Sequence, residues 1–205
     1  MSDGSDRSAD AGSLAESIGY SFVDEALLRR ALAHRSSCSE NDGVESNERL
    51  EFLGDAVLGW VVADIVFHRF SELPEGQLTD LRKSVVNANA LADVAREIDL
   101  GRHVLLGRGE AAAAGADKDS ILSDAFEAVL GAVYLDGGAS AAHGMVVRLI
   151  APRIPEVIGD LSQLDNKTRL QELSARGGAE PPVYRVSSTG PDHAKLFRAV
   201  ALVGG

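Results

Sequence analysis

The sequence predicts a mainly α-helical protein in which an all-helical domain is followed by a small, partial α+β module. Three observations support this division. Up to about residue 158, apolar residues recur at the three- and four-residue spacing of helices. After a short linker, one helical segment is followed by two segments typical of strands. The length of 205 residues suits one sizeable domain and a small one. We expect a disordered leader, the helical domain, a linker and the module at 1–13, 14–158, 159–165 and 166–205.

The composition favours a cytoplasmic protein and excludes a membrane-spanning one. No apolar run approaches the ~20 residues that a transmembrane helix needs. The first residues are acidic and small, and they lack the basic start and apolar core of a secretory signal. The single cysteine, Cys38, cannot form an internal disulfide, which is consistent with a reducing compartment.

Charge is distributed unevenly along the chain, whose net charge is −11. Residues 1–164 carry 27 acidic and 14 basic side chains, whereas residues 165–205 carry 4 acidic and 6 basic ones. The acidity of the first part is explained either by solubility or by carboxylates that hold cations. The slightly basic second part is the better candidate for contacts with phosphates.

The first half of the helical domain is predicted to contain helices at 14–18, 24–34 and 48–70. The second and third helices are separated by a polar loop at 36–46, and Asn47 is a residue type that caps helices. Pro74 and Gly76 mark the end of the long third helix.

The second half is predicted to contain helices at 79–86, 88–98, 119–135 and 141–150, with a loop at 107–120. Asn87 can cap the second of these helices, and either Asp119 or Ser120 can cap the third. Gly137 and Gly138 are expected to end the third helix.

The C-terminal module is predicted to begin with a helix at 167–176, which Gly177 and Gly178 close. Two strands are expected at 183–187 and 195–203, joined by a turn-rich segment. The final two glycines resemble a hairpin turn that leads to a further strand.

A stripe of carboxylates is predicted on the long helix, because Glu51 and Asp55 fall within about 60° of Glu48 on a helical wheel. Neighbouring like charges repel one another, so stability alone does not favour the stripe. It is either a solvated polar face or part of a site. The opposite, apolar side holds Leu50, Leu53, Val57 and Trp60.

A second pair of carboxylates lies on the helix at 119–135, where Asp124 and Glu127 are three residues apart. If the two acidic edges face each other, their oxygens form a site suited to Mg²⁺ or Mn²⁺. Such a site supports phosphodiester hydrolysis by two metal ions. The opposite side of this helix holds Leu122, Phe126, Val129 and Val133.

Phe52 lies about 40° from Glu48 on the wheel and therefore on the acidic side. It is either a single exposed aromatic residue, which is common, or an apolar contact for a partner subunit.

The run Asn47 to Leu58 closely resembles the motif of the ribonuclease III family, endonucleases specific for double-stranded RNA. The resemblance continues in three other segments of the helical domain, 31–36, 75–82 and 117–138. Segments 167–172 and 190–193 resemble the first helix and a loop of a double-stranded-RNA-binding domain. That module lacks the family's third strand and second helix, so we expect it to be truncated and poorly stable.

The resemblance implies an Mg²⁺-dependent homodimer, with Mn²⁺ able to substitute and no small-molecule cofactor. It implies that Asp55 and Glu127 are catalytic and that Phe52 contacts the second subunit. The implied metal ligands are Glu51, Asp55, Asp124 and Glu127, and the implied supporting acids are Glu48 and Glu75. Contacts with double-stranded RNA are implied for Thr168, Gln171, Glu172, Pro191 and His193.

The resemblance further implies cleavage that leaves 5′-phosphates and short 3′ overhangs, in the processing of rRNA and mRNA. Two alternatives remain at this stage. One is a catalytically silent relative that binds RNA or a ribosome. The other is an all-helical nucleoside-triphosphate pyrophosphohydrolase, which also holds Mg²⁺ through paired acidic helices.

Overall fold

The structure is a computed structural model that describes residues 13–40, 44–154, 166–178, 180–189 and 196–203. The chain divides into two compact units, Met1–Val157 and Ile158–Gly205. Of the predicted leader, residues 1–12 lie outside the described residues, and so does the whole of the predicted linker.

The described part of the first unit is helical, as the sequence predicts. Its α-helices are α1 (13–18), α2 (Glu25–Ala31), α3 (Arg35–Cys38), α4 (Glu48–Arg69), α5 (Glu75–Val85), α6 (Ala88–Glu97), α7 (Arg108–Ala112) and α8 (Asp119–Leu149). Short 3₁₀ turns lie at Leu100–His103, Gly115–Asp117 and Ala151–Arg153.

Several helix ends follow from capping. The carboxylate of Asp24 accepts a hydrogen bond from the backbone N–H of Ala26 at the start of α2. Asn87 caps α6 as predicted, because its side-chain oxygen accepts from the backbone N–H of Ala90 at 3.1 Å. Helix α5 begins directly after Pro74, four residues earlier than predicted, since the fixed φ of proline suits a helix start.

Three predicted boundaries are wrong. The expected loop at 36–46 contains part of α3, and the expected loop at 107–120 contains α7 and a 3₁₀ turn. Both helices are too short to show a helical period in the sequence. The prediction that the helix beginning at residue 119 ends after residue 135, at Gly137 and Gly138, is also wrong. A kink occurs at Gly138, whose φ is 75°, but helical structure continues on both sides of it.

The core of the first unit is centred on α8, against which α4 and α6 pack. Leu50 and Val57 on α4 are buried, as predicted, and so are the four apolar residues predicted on α8. Trp60 was expected in the core but is 50% exposed. The apolar side of α4 that carries Trp60 is wider than the surface that α8 buries. A helical wheel of α4 does not show where the buried surface ends.

The second unit contains one helix, α9 (Asn166–Arg176), and two strands, β1 (Val183–Thr189) and β2 (Leu196–Leu202), among its described residues. The strands pair antiparallel, with Val183 opposite Leu202 and Thr189 opposite Leu196. Gly178 has a φ of +67° just after α9, as expected of a glycine that closes a helix. Nowhere in the described ranges is a helix both long enough and apolar enough to cross a membrane.

Candidate metal centre

Three carboxylates converge where α4 and α8 meet. Glu51 comes from α4, and Asp124 and Glu127 come from α8. One ligand oxygen from each lies within 4.8 Å of the other two, and all three residues are partly buried. Three hard oxygen ligands at this separation suit a divalent cation such as Mg²⁺ or Mn²⁺.

The convergence depends on a very close approach of the two helix backbones. Gly54 on α4 is buried against α8, where a Cβ atom would overlap the carbonyl group of Glu127. Gly131 on α8 is equally close, and a Cβ there would overlap the carbonyl oxygen of Leu50. Because neither glycine has a side chain, acidic residues one turn away on each helix reach a common point.

The other predicted acidic residues lie at different distances from this group. Asp55 is exposed on α4 and lies outside the three-residue group, but its charge raises the pKa of Glu127. Glu48 is exposed at the start of α4 and accepts a hydrogen bond from Ser46 Oγ at 2.7 Å. Glu75 begins α5 and accepts one from Thr79 Oγ1 at 2.8 Å. Among the described residues, Glu75 is not one of the three whose ligand oxygens converge.

Glu127 has the most strongly perturbed carboxylate of the three. Burial raises its pKa to about 8, and the negative charges of Asp55, Asp124 and Glu51 add to the effect. A carboxyl group in this environment is unstable as an anion unless a positive charge compensates it. A bound divalent cation would supply that charge.

The pKa values of the other two carboxylates are raised for the same reason, and nearby basic residues oppose the change. Burial, followed by the charges of Asp124 and Glu48, raises the pKa of Glu51. Burial also raises the pKa of Asp124. The hydrogen bond with Ser123 opposes that increase most strongly, followed by the positive charges of His34 and Arg35.

His34 and Arg35 were not predicted as site residues. They belong to the segment 31–36, which the sequence singled out by resemblance alone, and no spacing rule connects it to the carboxylates. The structure places this segment at the rim of the site, where Arg35 Nη1 is 4.0 Å from Glu48 Oε1.

Phe52 is 80% exposed on α4, so the prediction that it stays outside the core is confirmed. It lines a surface hollow of about 550 Å³ together with Leu50, Leu53 and Leu135. The charged residues Arg30, Glu48 and Arg49 complete the lining.

The predicted RNA contacts of the second unit are only partly described. Gln171 is exposed on α9. Thr168 and Glu172 also belong to α9, but their side chains lie outside the described part of the structure. Pro191 and His193 lie outside the described residues altogether.

Comparison with known proteins identifies the family. A family model described as Ribonuclease-III-like matches residues 24–154. Ribonuclease 3 of Streptomyces coelicolor is 54% identical over 188 residues, which cover 92% of this chain and 68% of that protein. The chain belongs to the ribonuclease III family. Ribonuclease 3 of Thermobifida fusca is 52% identical over 190 residues, covering 93% of this chain and 79% of its own.

A solved structure of the ribonuclease III family supports the fold. The nuclease domain of ribonuclease III from Campylobacter jejuni matches with a TM-score of 0.65 and 42% identity, covering 70% of this chain and 97% of that one. That structure is described as showing flexibility in a region involved in dimer formation. The family model covers both carboxylate-bearing helices up to Leu149, so the three-residue group lies within the part of this chain that defines its membership.

Proposed function

We propose that this chain is an endoribonuclease that hydrolyses phosphodiester bonds of double-stranded RNA with the help of divalent cations. One observation carries the proposal: Glu51, Asp124 and Glu127 from two helices bring their ligand oxygens within 4.8 Å of one another in a chain of the ribonuclease III family. The raised pKa values of these carboxylates support it, because the group lacks a positive charge that a bound cation would supply.

Each acidic residue has a distinct part in this proposal. Glu51, Asp124 and Glu127 hold the cation, and Asp55 joins them as a fourth ligand at the exposed edge. When bound, divalent cations activate water for attack on the phosphorus and stabilise the leaving oxygen. The protein side chains fix the position of the bound cation and keep part of the site away from bulk water.

Glu127 is the carboxylate whose pKa is most strongly affected by burial, so we assign it the most direct role in cleavage. Glu48 and Glu75 support the site from its rim.

The finer features of the family complete the proposal. We expect Mg²⁺ as the natural cation, Mn²⁺ as a substitute, and a homodimer that forms through Phe52. We expect products with 5′-phosphates and short 3′ overhangs, and a role in the processing of rRNA and mRNA in the cytoplasm. The Campylobacter jejuni nuclease domain is described as having a region involved in dimer formation, which supports the homodimer.

The second unit is proposed to contribute to RNA binding in the manner of a double-stranded-RNA-binding domain. Its one described helix and two antiparallel strands are consistent with such a domain. The proposed contacts are Thr168, Gln171, Glu172, Pro191 and His193. Its basic charge balance favours contacts with phosphates.

The function is tested by incubating the chain with duplex RNA, with one of its single strands, and with nucleoside triphosphates, each in the presence of Mg²⁺. We expect cleavage of the duplex alone. Release of pyrophosphate from the nucleotides would contradict the proposal, and so would binding of the duplex without any cleavage.

A further inference from the structure

The segment that carries Arg35 is held firmly beside the start of α4. The backbone N–H of His34 donates to the carbonyl oxygen of Leu105 at 3.1 Å, and that of Leu105 donates to Leu32 at 2.8 Å. The N–H of Asn47 donates to the carbonyl oxygen of Ala33 at 2.9 Å. The segment is therefore tied both to the chain at Leu105 and to the residue immediately before α4.

Side-chain hydrogen bonds fix the residues on either side of Arg35. The hydroxyl of Ser36 accepts from the backbone N–H of Gly107 at 2.9 Å and lies 2.8 Å from His34 Nδ1. The backbone N–H of Ser36 also donates to His34 Nδ1, at 3.3 Å. With both neighbours bound in this way, the backbone of Arg35 has little freedom to move.

The side chain of Arg35, in contrast, extends into solvent. It is 75% exposed, and its Nη1 atom lies 4.0 Å from Glu48 Oε1. That distance is too long for a hydrogen bond, so the contact uses none of the guanidinium donors. The other oxygen of Glu48, Oε2, accepts a hydrogen bond from Ser46, which keeps the carboxylate at this position.

The position of Arg35 is significant because of the charge around it. The carboxylates that surround the site carry several negative charges, and an RNA substrate brings more. Arg35 Nη1 lies 4.0 Å from Glu48 Oε1 at the first residue of α4, three residues before Glu51, so the guanidinium lies at the edge of the carboxylate group. A phosphate that approaches the carboxylates meets this cation at the rim.

We propose that Arg35 binds a backbone phosphate of the RNA next to the carboxylate group, and that Glu48 orients Arg35 and is not a cation ligand. This inference rests on the proposed function and assigns a substrate contact within it. The planar guanidinium matches a phosphate with two parallel hydrogen bonds. Glu48 lies outside the group of carboxylates whose ligand oxygens converge, whereas its Oε1 atom lies 4.0 Å from Arg35 Nη1.

Moving the guanidinium of Arg35 from Glu48 to an RNA phosphate costs little free energy. An ion pair between two exposed side chains contributes about 0 to 1 kcal/mol, so Arg35 loses little when it leaves Glu48. Because the backbone beneath Arg35 is already fixed, binding orders one side chain and no loop.

The test measures binding of duplex RNA at several salt concentrations in Mg²⁺. Each variant is made in the background of Glu127→Gln, a substitution that we expect to prevent cleavage. Arg35→Gln is expected to weaken binding about tenfold and to lower the salt slope by about 0.9, the value for one phosphate contact on B-DNA. Arg35→Lys should restore the slope but only part of the affinity, since it keeps the charge without the planar fork.

Arg29→Gln is the matched control, because Arg29 is a similarly exposed arginine whose partner is Glu25, within α2. It should change affinity by less than about twofold, with an unchanged slope. The assignment of Arg35 is wrong if Arg35→Gln behaves like this control. It is also wrong if Arg35→Gln lowers the melting temperature and weakens binding without changing the slope, because that pattern indicates a structural role.

The role of Glu48 is tested by metal titration and by a double-mutant cycle. Glu48→Gln should leave the Mn²⁺ midpoint unchanged, whereas Glu51→Gln should raise it. Glu48→Gln combined with Arg35→Gln should bind RNA no more weakly than Arg35→Gln alone. A loss of Mn²⁺ affinity in Glu48→Gln as large as that in Glu51→Gln would show that Glu48 is a ligand.

Cleavage of the same duplex by the unsubstituted chain tests the proposed function separately. If that chain cuts the RNA and Arg35→Gln binds as the control does, the endonuclease assignment stands and the Arg35 contact is refuted.

Discussion

Gly54 and Gly131 face each other where α4 crosses α8. A Cβ atom on Gly54 would lie 3.1 Å from the backbone nitrogen of Gly131, and a Cβ on Gly131 would lie 3.1 Å from that of Gly54. Each would also overlap a carbonyl oxygen of the opposite helix. The carboxylates converge because this pair of glycines allows the two helix backbones to touch. The site therefore depends on two residues that contribute no functional side chain.

Gly54→Ala is expected to separate the two helices and to disrupt the site. The added methyl group must displace backbone atoms of α8, which cannot rotate away as a side chain can, so we expect a loss of roughly 3 kcal/mol or more in the free energy of unfolding. Urea denaturation measures the loss of stability, and a Mn²⁺ titration measures the disruption of the site.

The control is Gly144→Ala, because Gly144 lies on α8 with nothing within 4 Å of an added Cβ. It should be neutral or stabilise by about 0.5 to 1 kcal/mol. Equal stability of the two variants would contradict the account.

The pH dependence of stability should report the raised pKa of Glu127. Its ordinary pKa of 4.5 increases to about 8 in the folded chain, so between these values the folded state holds a proton that the unfolded chain releases. The contribution of Glu127 to stability is therefore complete below pH 4.5 and is lost as the pH rises through about 8. Mg²⁺ takes the place of that proton, so its stabilising effect should grow with pH across this window.

Thermal melting with and without Mg²⁺, at a series of pH values from about 5 to about 9, measures this dependence. Glu127→Gln should melt with a smaller dependence on pH and should respond less to Mg²⁺. A stabilisation by Mg²⁺ that is the same at both ends of the range would show that the cation does not compete with a proton at Glu127.

Phe52→Ala is expected to weaken the proposed homodimer. Phe52 is 80% exposed beside an apolar hollow, and a Phe side chain that becomes buried contributes about 3 kcal/mol or more when compared with Ala. Each homodimer loses two such side chains, so the dissociation constant should rise on the order of ten-thousandfold. Sedimentation over a range of concentrations measures it. Val23→Ala, at a residue that is 90% exposed on a different segment, is the control. If both variants associate like the parent, Phe52 is simply an exposed aromatic residue.

The sequence predicted the helices of the site well because its signals there are local. The spacing of Glu51 and Asp55, and of Asp124 and Glu127, places each pair on one face, and Leu50 and Phe126 then locate the buried faces. The spacing could not predict that the acidic faces of α4 and α8 come together. This depends on Gly54 and Gly131, and glycine in a helix indicates only that something approaches closely, without saying what.

The sequence was less informative at the rim of the site. Arg35 and Glu48 are separated by a segment that looked like a loop, and their proximity is produced by the backbone hydrogen bond from the N–H of Asn47 to the carbonyl oxygen of Ala33. Trp60 was misplaced for a related reason. The apolar side of a helix is visible in the sequence, but the extent of the surface that covers it is a property of the whole fold.

The central claim is that the carboxylates on α4 and α8 carry out metal-dependent cleavage of double-stranded RNA. The most direct test is single-turnover cleavage of duplex RNA by Glu127→Gln in saturating Mg²⁺, with RNA binding measured in parallel. The amide keeps the shape of the side chain but is a weaker ligand for a hard cation. We predict that the cleavage rate falls by at least about a thousandfold while binding is largely retained. A rate within about tenfold of the parent would contradict the account.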